Sequence, residues 1–316
     1  MSEPLILAVP SKGRLKEQVD AWLADCGLPL KASGGARGYL AEMTHAPDVQ
    51  VRLLSAADIA AAVVSGEAHL GVTGEDLIGE QPAADRALRL VPLGVGRADL
   101  VVATPQSWLD VDDMADLAEV SHDILHRTGR RMRVATKYVV QTRAFLAAHD
   151  VDFRIVFSGG ATEGAPAAGA AECVVDITTT GATLLANGLK QIDGGLILKS
   201  QAWLAASLAA AWSPSQRAAA DRLLRIIEAR VRARGMGLLS WSETRQDEAA
   251  AVLGELIAAG GRQRGSAILL PTGRMHDAGL GLAQAGAGPI SASLPLFVFD
   301  QASEAGDRLN RGLTKF

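Results

Sequence analysis

An α/β fold is what this sequence predicts, and three observations carry the expectation. Short continuous apolar runs such as Leu5-Ile6-Leu7-Ala8-Val9 end in polar turns and then pass into helical periodicity, the pattern of buried parallel strands joined by crossover helices. The chain holds 33 glycines but only 4% aromatic residues, which suits many tight strand-to-helix turns better than an antiparallel sandwich. Its 316 residues exceed one ordinary domain and suit two or three, each able to bury a core.

Taken in order, residues 5–9 read as a strand bounded by Pro10, followed by the basic turn Ser11-Lys12-Gly13-Arg14 and an amphipathic helix over 15–26 ended by Gly27. A strand over 49–54 precedes a helix over 56–65 stopped by Gly66, and 69–74 is a strand ending in Thr73-Gly74-Glu75-Asp76. Strands are expected at 88–93 and 100–104. The acid-rich stretch 105–131, with Asp110, Asp112, Asp113, Asp116 and Glu119, reads as a solvated helix face. Arg133-Val134-Ala135-Thr136 resumes the strand pattern with Lys137-Tyr138 at its end, then a helix covers 141–149, a strand 153–157 and a short turn 163–169. After the strand ending at Asp176 and a threonine-rich loop come a strand at 196–198 and an Ala-rich helix over 200–211. A long helix over 214–234 alternates Leu223, Leu224, Ile227 and Val231 with arginines and reads as an arm joining domains. Beyond Gly235 the rhythm is strand 236–241, helix 247–259, strand 267–270, helix 274–285 and strand 290–299.

Composition excludes several classes. A net charge of −4 gives no basic footprint for nucleic acid. No apolar run approaches a membrane span and the N-terminus lacks a signal-peptide pattern, so a cytoplasmic location is expected. Cys26 and Cys173 show no metal-ligand spacing and are expected as buried small apolar residues.

The polar residues that follow apolar strands are candidates for chemistry, because ligands of open α/β sheets bind at the carboxyl ends of strands. The stretch Asp176-Ile177-Thr178-Thr179-Thr180-Gly181-Ala182-Thr183-Leu184 is the most informative. Its hydroxyls and a helix N-terminus can face a phosphate, and Asp176 can accept from ribose hydroxyls or hold a water on a bound metal. The competing reading is an N-capping loop that binds nothing. Four such turns, carrying both cations and acids, suit a phosphorylated substrate bound with Mg²⁺.

Pro10-Ser11-Lys12-Gly13-Arg14-Leu15, Leu70-Gly71-Val72-Thr73-Gly74-Glu75-Asp76, Val134-Ala135-Thr136-Lys137-Tyr138, Glu163-Gly164-Ala165-Pro166 and residues 176–188 occur in this order, and the chain in this respect resembles the ATP phosphoribosyltransferase family over residues 5–210. The resemblance implies a two-domain core like that of periplasmic binding proteins, with the catalytic cleft between the domains: residues 1–93 plus 190–213, and residues 94–189. It implies transfer of the phosphoribosyl group of phosphoribosyl pyrophosphate to N1 of ATP, the first step of histidine biosynthesis, with Mg²⁺. Lys12, Arg14, Lys137 and Asp176 would then be catalytic. Gly13, Glu75, Asp76, Tyr138, Glu163, Thr178, Thr179, Thr180, Gly181, Ala182, Thr183 and Leu184 would line the substrates.

Two positions depart from the family pattern. No cation precedes Asp58-Ile59, and an arginine expected after a glycine stands two places early, as Arg97; Arg97, Arg37 and Arg52 are the candidate replacements. Residues 235–316 match in size the small ferredoxin-like (ACT-like) domain through which long-form members bind histidine, with a shortened hairpin at 262–265, and an appendage serving only assembly is the alternative. The resemblance implies a homo-oligomer, or a hetero-oligomer with a subunit related to histidyl-tRNA synthetase. A non-catalytic two-domain binding protein and a silent regulatory homologue are the rival functions.

Overall fold

The computed structural model describes residues 3–32, 39–244 and 246–316. The first lobe opens with β1 (Leu5–Pro10), α1 (Gly13–Asp25), β2 (Leu30–Ala32), β3 (Leu40–Met43), β4 (Val49–Leu54), α2 (Ala56–Ser65), β5 (Leu70–Gly74), α3 (Glu75–Gly79) and β6 (Ala87–Pro92). Ser55 caps α2, its hydroxyl accepting from Asp58 N at 3.2 Å, and Gly66 closes it in the left-handed conformation, the stop expected from the sequence.

The second lobe comprises β7 (Ala98–Pro105), α4 (Met114–Thr128), β8 (Met132–Thr136), α5 (Val139–Ala148), β9 (Phe153–Phe157), β10 (Cys173–Thr178), α6 (Ala182–Ala186) and β11 (Leu189–Ser200). The acidic run before α4 is helix-cap chemistry: Asp113 and Asp116 form a reciprocal capping box, and Asp112 pairs with Lys190 at 2.8 Å.

The chain then returns to the first lobe as β12 (Ala202–Ser207) and α7 (Pro214–Ala233). The first sheet runs β2-β3-β4-β1-β5-β12-β6 and the second β11-β7-β10-β8-β9. In the first, β4, β1 and β5 are parallel and β12 lies antiparallel between β5 and β6. In the second, β10, β8 and β9 are parallel, β7 runs against them, and β11, antiparallel to β7, shares their direction.

Three expectations change here. Residues 190–200, expected in the first domain, lie in β11, which pairs with β7 and belongs to the second sheet. The Ala-rich segment 200–211 is strand β12 rather than a helix. Its residues alternate between the two faces of the first sheet, Ala202, Leu204 and Ala206 in one core cluster and Ala205 in another, so two-sided burial overrides the helix propensity of alanine. Finally, α7 is not a free arm. It buries Ala219, Ala220, Leu223, Leu224 and Ile227 in the first-lobe core, and Arg230 and Arg234 clamp Asp25 at the end of α1 at 2.6 and 2.7 Å.

The third unit consists of β13 (Met236–Thr244), α8 (Gln246–Ala258), β14 (Arg262–Gln263), β15 (Ala267–Pro271), α9 (Met275–Gln284) and β16 (Ala287–Ser293), an antiparallel sheet in the order β14-β15-β13-β16. This is the βαββαβ arrangement of a ferredoxin-like unit, its middle hairpin cut to two paired residues on β14. Three features lie outside the sequence-based expectation: the hairpin β2–β3, the short helix α3 and, last, α10 (Glu304–Lys315). This last helix leaves the small unit and returns to the first lobe, where Ala305 and Leu309 join the core. The third domain therefore ends well before residue 316. Among the described residues no helix is long and apolar enough to cross a membrane.

Candidate active site

Two segments join the lobes, one between β6 and β7 and one between β11 and β12. They are tied to each other, Leu93 N donating to Ala202 O at 2.9 Å and Ala202 N to Val95 O at 2.9 Å. A cavity of 260 Å³ opens beside them, lined by Arg14, Leu15, Gln18, Gly74 and Asp76 of the first lobe, Ile177 and Thr179 of the second, and Arg97 of the joining segment. Each lobe presents the carboxyl ends of its parallel strands: β1 and β5 on one side, β10 on the other. Among these lining residues, Arg14 and Arg97 are the cations.

The threonine loop is shaped by its own hydroxyls. Thr178 Oγ1 accepts from Gly181 N at 2.8 Å, Thr180 Oγ1 accepts from Ala182 N at 3.3 Å and Thr179 Oγ1 donates to Arg97 O at 3.5 Å. Gly181 has φ +76°, a conformation glycine adopts without steric cost, and it turns the chain into α6. Thr178 and Thr180 act as loop caps and still have hydroxyl protons to donate. Ala182 and Thr183 are exposed at the loop tip, whereas Leu184 is buried beneath it against Val101, Ala135 and Val174. The Leu184 side chain is thus core, contrary to its assignment as a substrate contact.

At the base of the loop Asp176 Oδ1 accepts from Ile177 N at 2.8 Å. Burial raises the Asp176 carboxyl above its ordinary pKa, partly offset by that N–H and by the charge of Lys137, with Glu163 adding to the rise. Asp176, Lys137 and Glu163 are therefore electrostatic neighbours. The ionised form of such a carboxyl is stabilised by hydroxyl donors or by a cation within contact distance. Lys137 is exposed and holds its ammonium 5.1 Å from the Tyr138 ring centre. Lys12 and Gly13 lie exposed on the turn that carries Arg14.

Three of the expected substrate residues are already engaged. Tyr138 and Asp76 are buried, and Tyr138 OH donates to Asp76 Oδ2 at 3.0 Å while Ser200 Oγ donates to Asp76 Oδ1 at 2.7 Å. Burial, then the Asp76 carboxylate, pushes the Tyr138 hydroxyl upward, so it stays protonated and donating. Glu75 is held by Arg89 and by Trp203 Nε1 and lines a separate cavity of 520 Å³ together with Arg89, Gln141 and Leu198. The cation assignments also separate: Arg97 lines the cleft, Arg52 donates to Glu67 O at 3.3 Å, at the amino end of β5, and Arg37 lies outside the described residues. Both thiols are buried, Cys26 pushed up to about 11 and Cys173 to about 12, so neither serves as a nucleophile. Sequence reasoning missed Gln18, whose Oε1 accepts from Gly96 N at 3.1 Å, and Ser200. Both act across long sequence separations that no local motif reports.

Two α/β lobes closing on an arginine-lined cleft, with a threonine loop and a half-buried acid on one wall, define a two-lobed enzyme of phosphorylated small molecules. Comparison with known proteins makes the class specific. The family model described as ATP phosphoribosyltransferase matches residues 55–229. An ATP phosphoribosyltransferase of Caulobacter vibrioides is 57% identical over 316 residues, covering 99% of each chain. Another from Bradyrhizobium diazoefficiens is 56% identical over 236 residues, covering 74% of this chain and 73% of that one. Among solved structures, the ATP phosphoribosyl transferase (HisG:HisZ) complex from Thermotoga maritima aligns with a TM-score of 0.54 at 24% identity, over 71% of this chain and 96% of that one, a likeness of fold. The chain belongs to the ATP phosphoribosyltransferase family. Its reaction transfers the 5-phosphoribosyl group from phosphoribosyl pyrophosphate to N1 of ATP with release of pyrophosphate, the first step of histidine biosynthesis, and the non-catalytic alternatives are not favoured.

Proposed function

We propose that the cleft between the lobes is where this transfer occurs, with phosphoribosyl pyrophosphate on the Asp176 loop and ATP facing it from the first lobe. The observation that carries the reading is the convergence of Arg14, Arg97 and Thr179 on one cavity lined by both lobes. The loop hydroxyls and the N–H groups opening α6 donate to the 5-phosphate, and Asp176 accepts from the ribose hydroxyls. Arg14 offers a planar, bidentate contact to pyrophosphate and Lys12 a point charge. These cations stabilise the charge that grows on the departing pyrophosphate as adenine N1 attacks C1, and the lobes align the two substrates. The enzyme supplies no covalent nucleophile.

Among the described residues no group of three or more His, Cys, Asp and Glu could hold a metal ion. That donor set fits Mg²⁺ carried by substrate phosphates, with Asp176 as a protein carboxylate that would meet it, since Mg²⁺ commonly takes one or two carboxylates and fills its shell with phosphate and water. When bound, the ion neutralises phosphate charge.

The enzyme works in the cytoplasm, as a homo-oligomer or with a histidyl-tRNA-synthetase-like subunit; the Thermotoga structure is a complex of two named components. The ferredoxin-like unit is the place for histidine to inhibit. The test mixes purified chain with ATP, phosphoribosyl pyrophosphate, Mg²⁺ and a pyrophosphatase and follows product absorbance, with and without histidine. Product formation by the chain alone supports a self-sufficient catalyst. Folded protein that makes product only with a second subunit refutes self-sufficiency, and inactivity under both conditions refutes the placement of the site.

A further inference from the structure

The lobes also touch where α3 and the residue after it meet the start of α5 and the turn before it, beside the end of β11. On the first-lobe side stand Asp76 and Glu80, and on the second-lobe side Tyr138, Val140 and Gln141. Both oxygens of Glu80 are used: Oε2 accepts from Val140 N at 2.9 Å and Oε1 from Gln141 N at 2.9 Å and from Gln141 Nε2 at 3.1 Å. The carboxylate of one lobe thus caps the first turn of a helix in the other, where the helix leaves N–H groups unpaired and favours negative charge. Gln141 Nε2 also donates to Asp76 O at 2.8 Å, and Tyr138 OH donates to Asp76 Oδ2. Ser200, at the end of β11 where the chain crosses between lobes, completes the set on Asp76 Oδ1.

Two glycines flanking this helix clear the space. A Cβ on Gly74 would lie 2.2 Å from Asp76 Oδ1, and one on Gly79 would lie 3.0 Å from the Gln141 amide carbon. The first is closer than real Cβ contacts come, so only glycine at 74 lets the Asp76 carboxylate take this position. Nothing in the catalytic scheme calls for Glu80 or Gln141, yet their groups are paired as fully as those of a secondary-structure cap.

We propose that the Glu80–Gln141 and Asp76–Tyr138 contacts form a latch that holds the two lobes closed and sets the Lys137 turn in the cleft, so that Tyr138, Glu80 and Gln141 are positioning residues and Asp76, at the cleft wall, has both carboxylate oxygens engaged by the latch. The proposal rests on reading the cleft between the lobes as the substrate site. Lys137 immediately precedes Tyr138, and its neighbour Asp176 stands on the adjoining strand of the same lobe, so fixing Tyr138 against the first lobe fixes the lysine relative to both walls of the cleft. An open form without the latch has the same substrate groups but displays them apart. Each substrate must then draw the lobes together at the expense of its own affinity.

This gives the latch a signature that a direct contact lacks. A residue touching one substrate changes the affinity of that substrate, whereas a residue governing closure changes the apparent affinity of every ligand that binds across the cleft by one common factor. Glu80 is half-buried and its truncation leaves no core cavity, so Glu80→Ala is the primary variant. Dissociation constants for ATP and for phosphoribosyl pyrophosphate with Mg²⁺ are measured separately by titration calorimetry. The radius of gyration of the free and doubly bound protein is measured by X-ray scattering at matched oligomeric state.

The expected result is a rise in both dissociation constants by the same factor, about tenfold for a latch that makes the closed form the main one. It is accompanied by a larger radius of gyration in the free variant that returns to the unmodified value with both substrates, and by a kcat within about twofold. Tyr138→Phe, which removes only the hydroxyl, shifts both constants in the same direction, and Glu80→Gln recovers part of the affinity because it keeps one acceptor for the helix N–H groups. A change confined to one substrate makes Glu80 a ligand contact and overturns the proposal. Unchanged constants with an unchanged radius overturn it as well, as does a loss of kcat at unchanged affinity. Failure of the active-site reading is separately visible, because the unmodified chain then makes no product either alone or with a second subunit.

Discussion

Replacing Glu172 by Gln tests how much of the second lobe's stability is electrostatic. Glu172 directly precedes β10 and receives four hydrogen bonds within 3.1 Å: Arg133 N at 2.6 Å, Arg133 Nη2 at 2.7 Å, Arg133 Nε at 3.1 Å and Arg130 Nη1 at 3.1 Å. Burial by itself would raise this carboxyl, but the Arg133 side chain and backbone and the Arg130 guanidinium outweigh it and hold the pKa at about 2, against 4.5 for the free group. At about 1.4 kcal/mol per unit the full difference corresponds to about 3 kcal/mol. The Arg130 side chain is 48% exposed, so solvent screens its share, and about 2 kcal/mol is the expected loss in Glu172→Gln at neutral pH. The sign follows from linkage. A depressed folded pKa contributes stability that is complete above the unfolded value of 4.5 and is lost as pH falls toward the folded value of about 2. Urea unfolding of both proteins at neutral pH and at pH 3 is the assay. The gap between them should shrink by more than half at the lower pH. A gap that stays constant with pH would show that shape, not charge, explains the cost.

Three further outcomes are expected. Arg14→Ala lowers kcat/KM by about 2–4 kcal/mol of transition-state stabilisation with the thermal midpoint unchanged; an unaltered kcat/KM would make Arg14 a solvated turn residue. Asp176→Asn lowers turnover strongly while circular dichroism and the melting midpoint stay close to those of the unmodified chain, and near-normal turnover would remove the ribose and Mg²⁺ assignment. Removing residues 235–316 destabilises the first lobe, because it strips Ala305 and Leu309 from that core, whereas removing 235–293 with a short linker to α10 preserves it; equal melting temperatures for the two truncations would refute this role of α10.

The parts of the molecule legible in the sequence are those set by local pattern. Apolar runs located β1, β5, β8 and β10, and the polar turns that follow them line or border the cleft where strand-end geometry put them. What escaped is decided by contacts far apart in sequence. Alanine is a good helix former, and nothing local says that Ala202 to Ser207 fills a slot between β5 and β6. The helix α10 has strong amphipathic periodicity, yet its apolar stripe of Ala305, Leu309 and Leu313 declares a burial without naming the surface that accepts it. Among the expected site residues, Asp76 and Tyr138 stand where strand-end geometry put them, and the hydrogen bond that joins them spans 62 residues, beyond the reach of any local pattern. Leu184 was carried along by its loop into a role its buried side chain does not fill.

The route of the chain also fixes an order of events during synthesis. All five strands of the second sheet come from the contiguous stretch 98–200, so that lobe can close its core as soon as this stretch has left the ribosome. The first lobe begins earlier and finishes later. It waits for β12 to fill the gap between β5 and β6, for α7 to cover the sheet, and for residues 304–315 to seat the final apolar contacts. The nascent protein therefore carries an unfinished first lobe through the making of two completed units, and the strip of apolar surface that α10 will cover is the part of the chain for which a chaperone has the longest opportunity to bind.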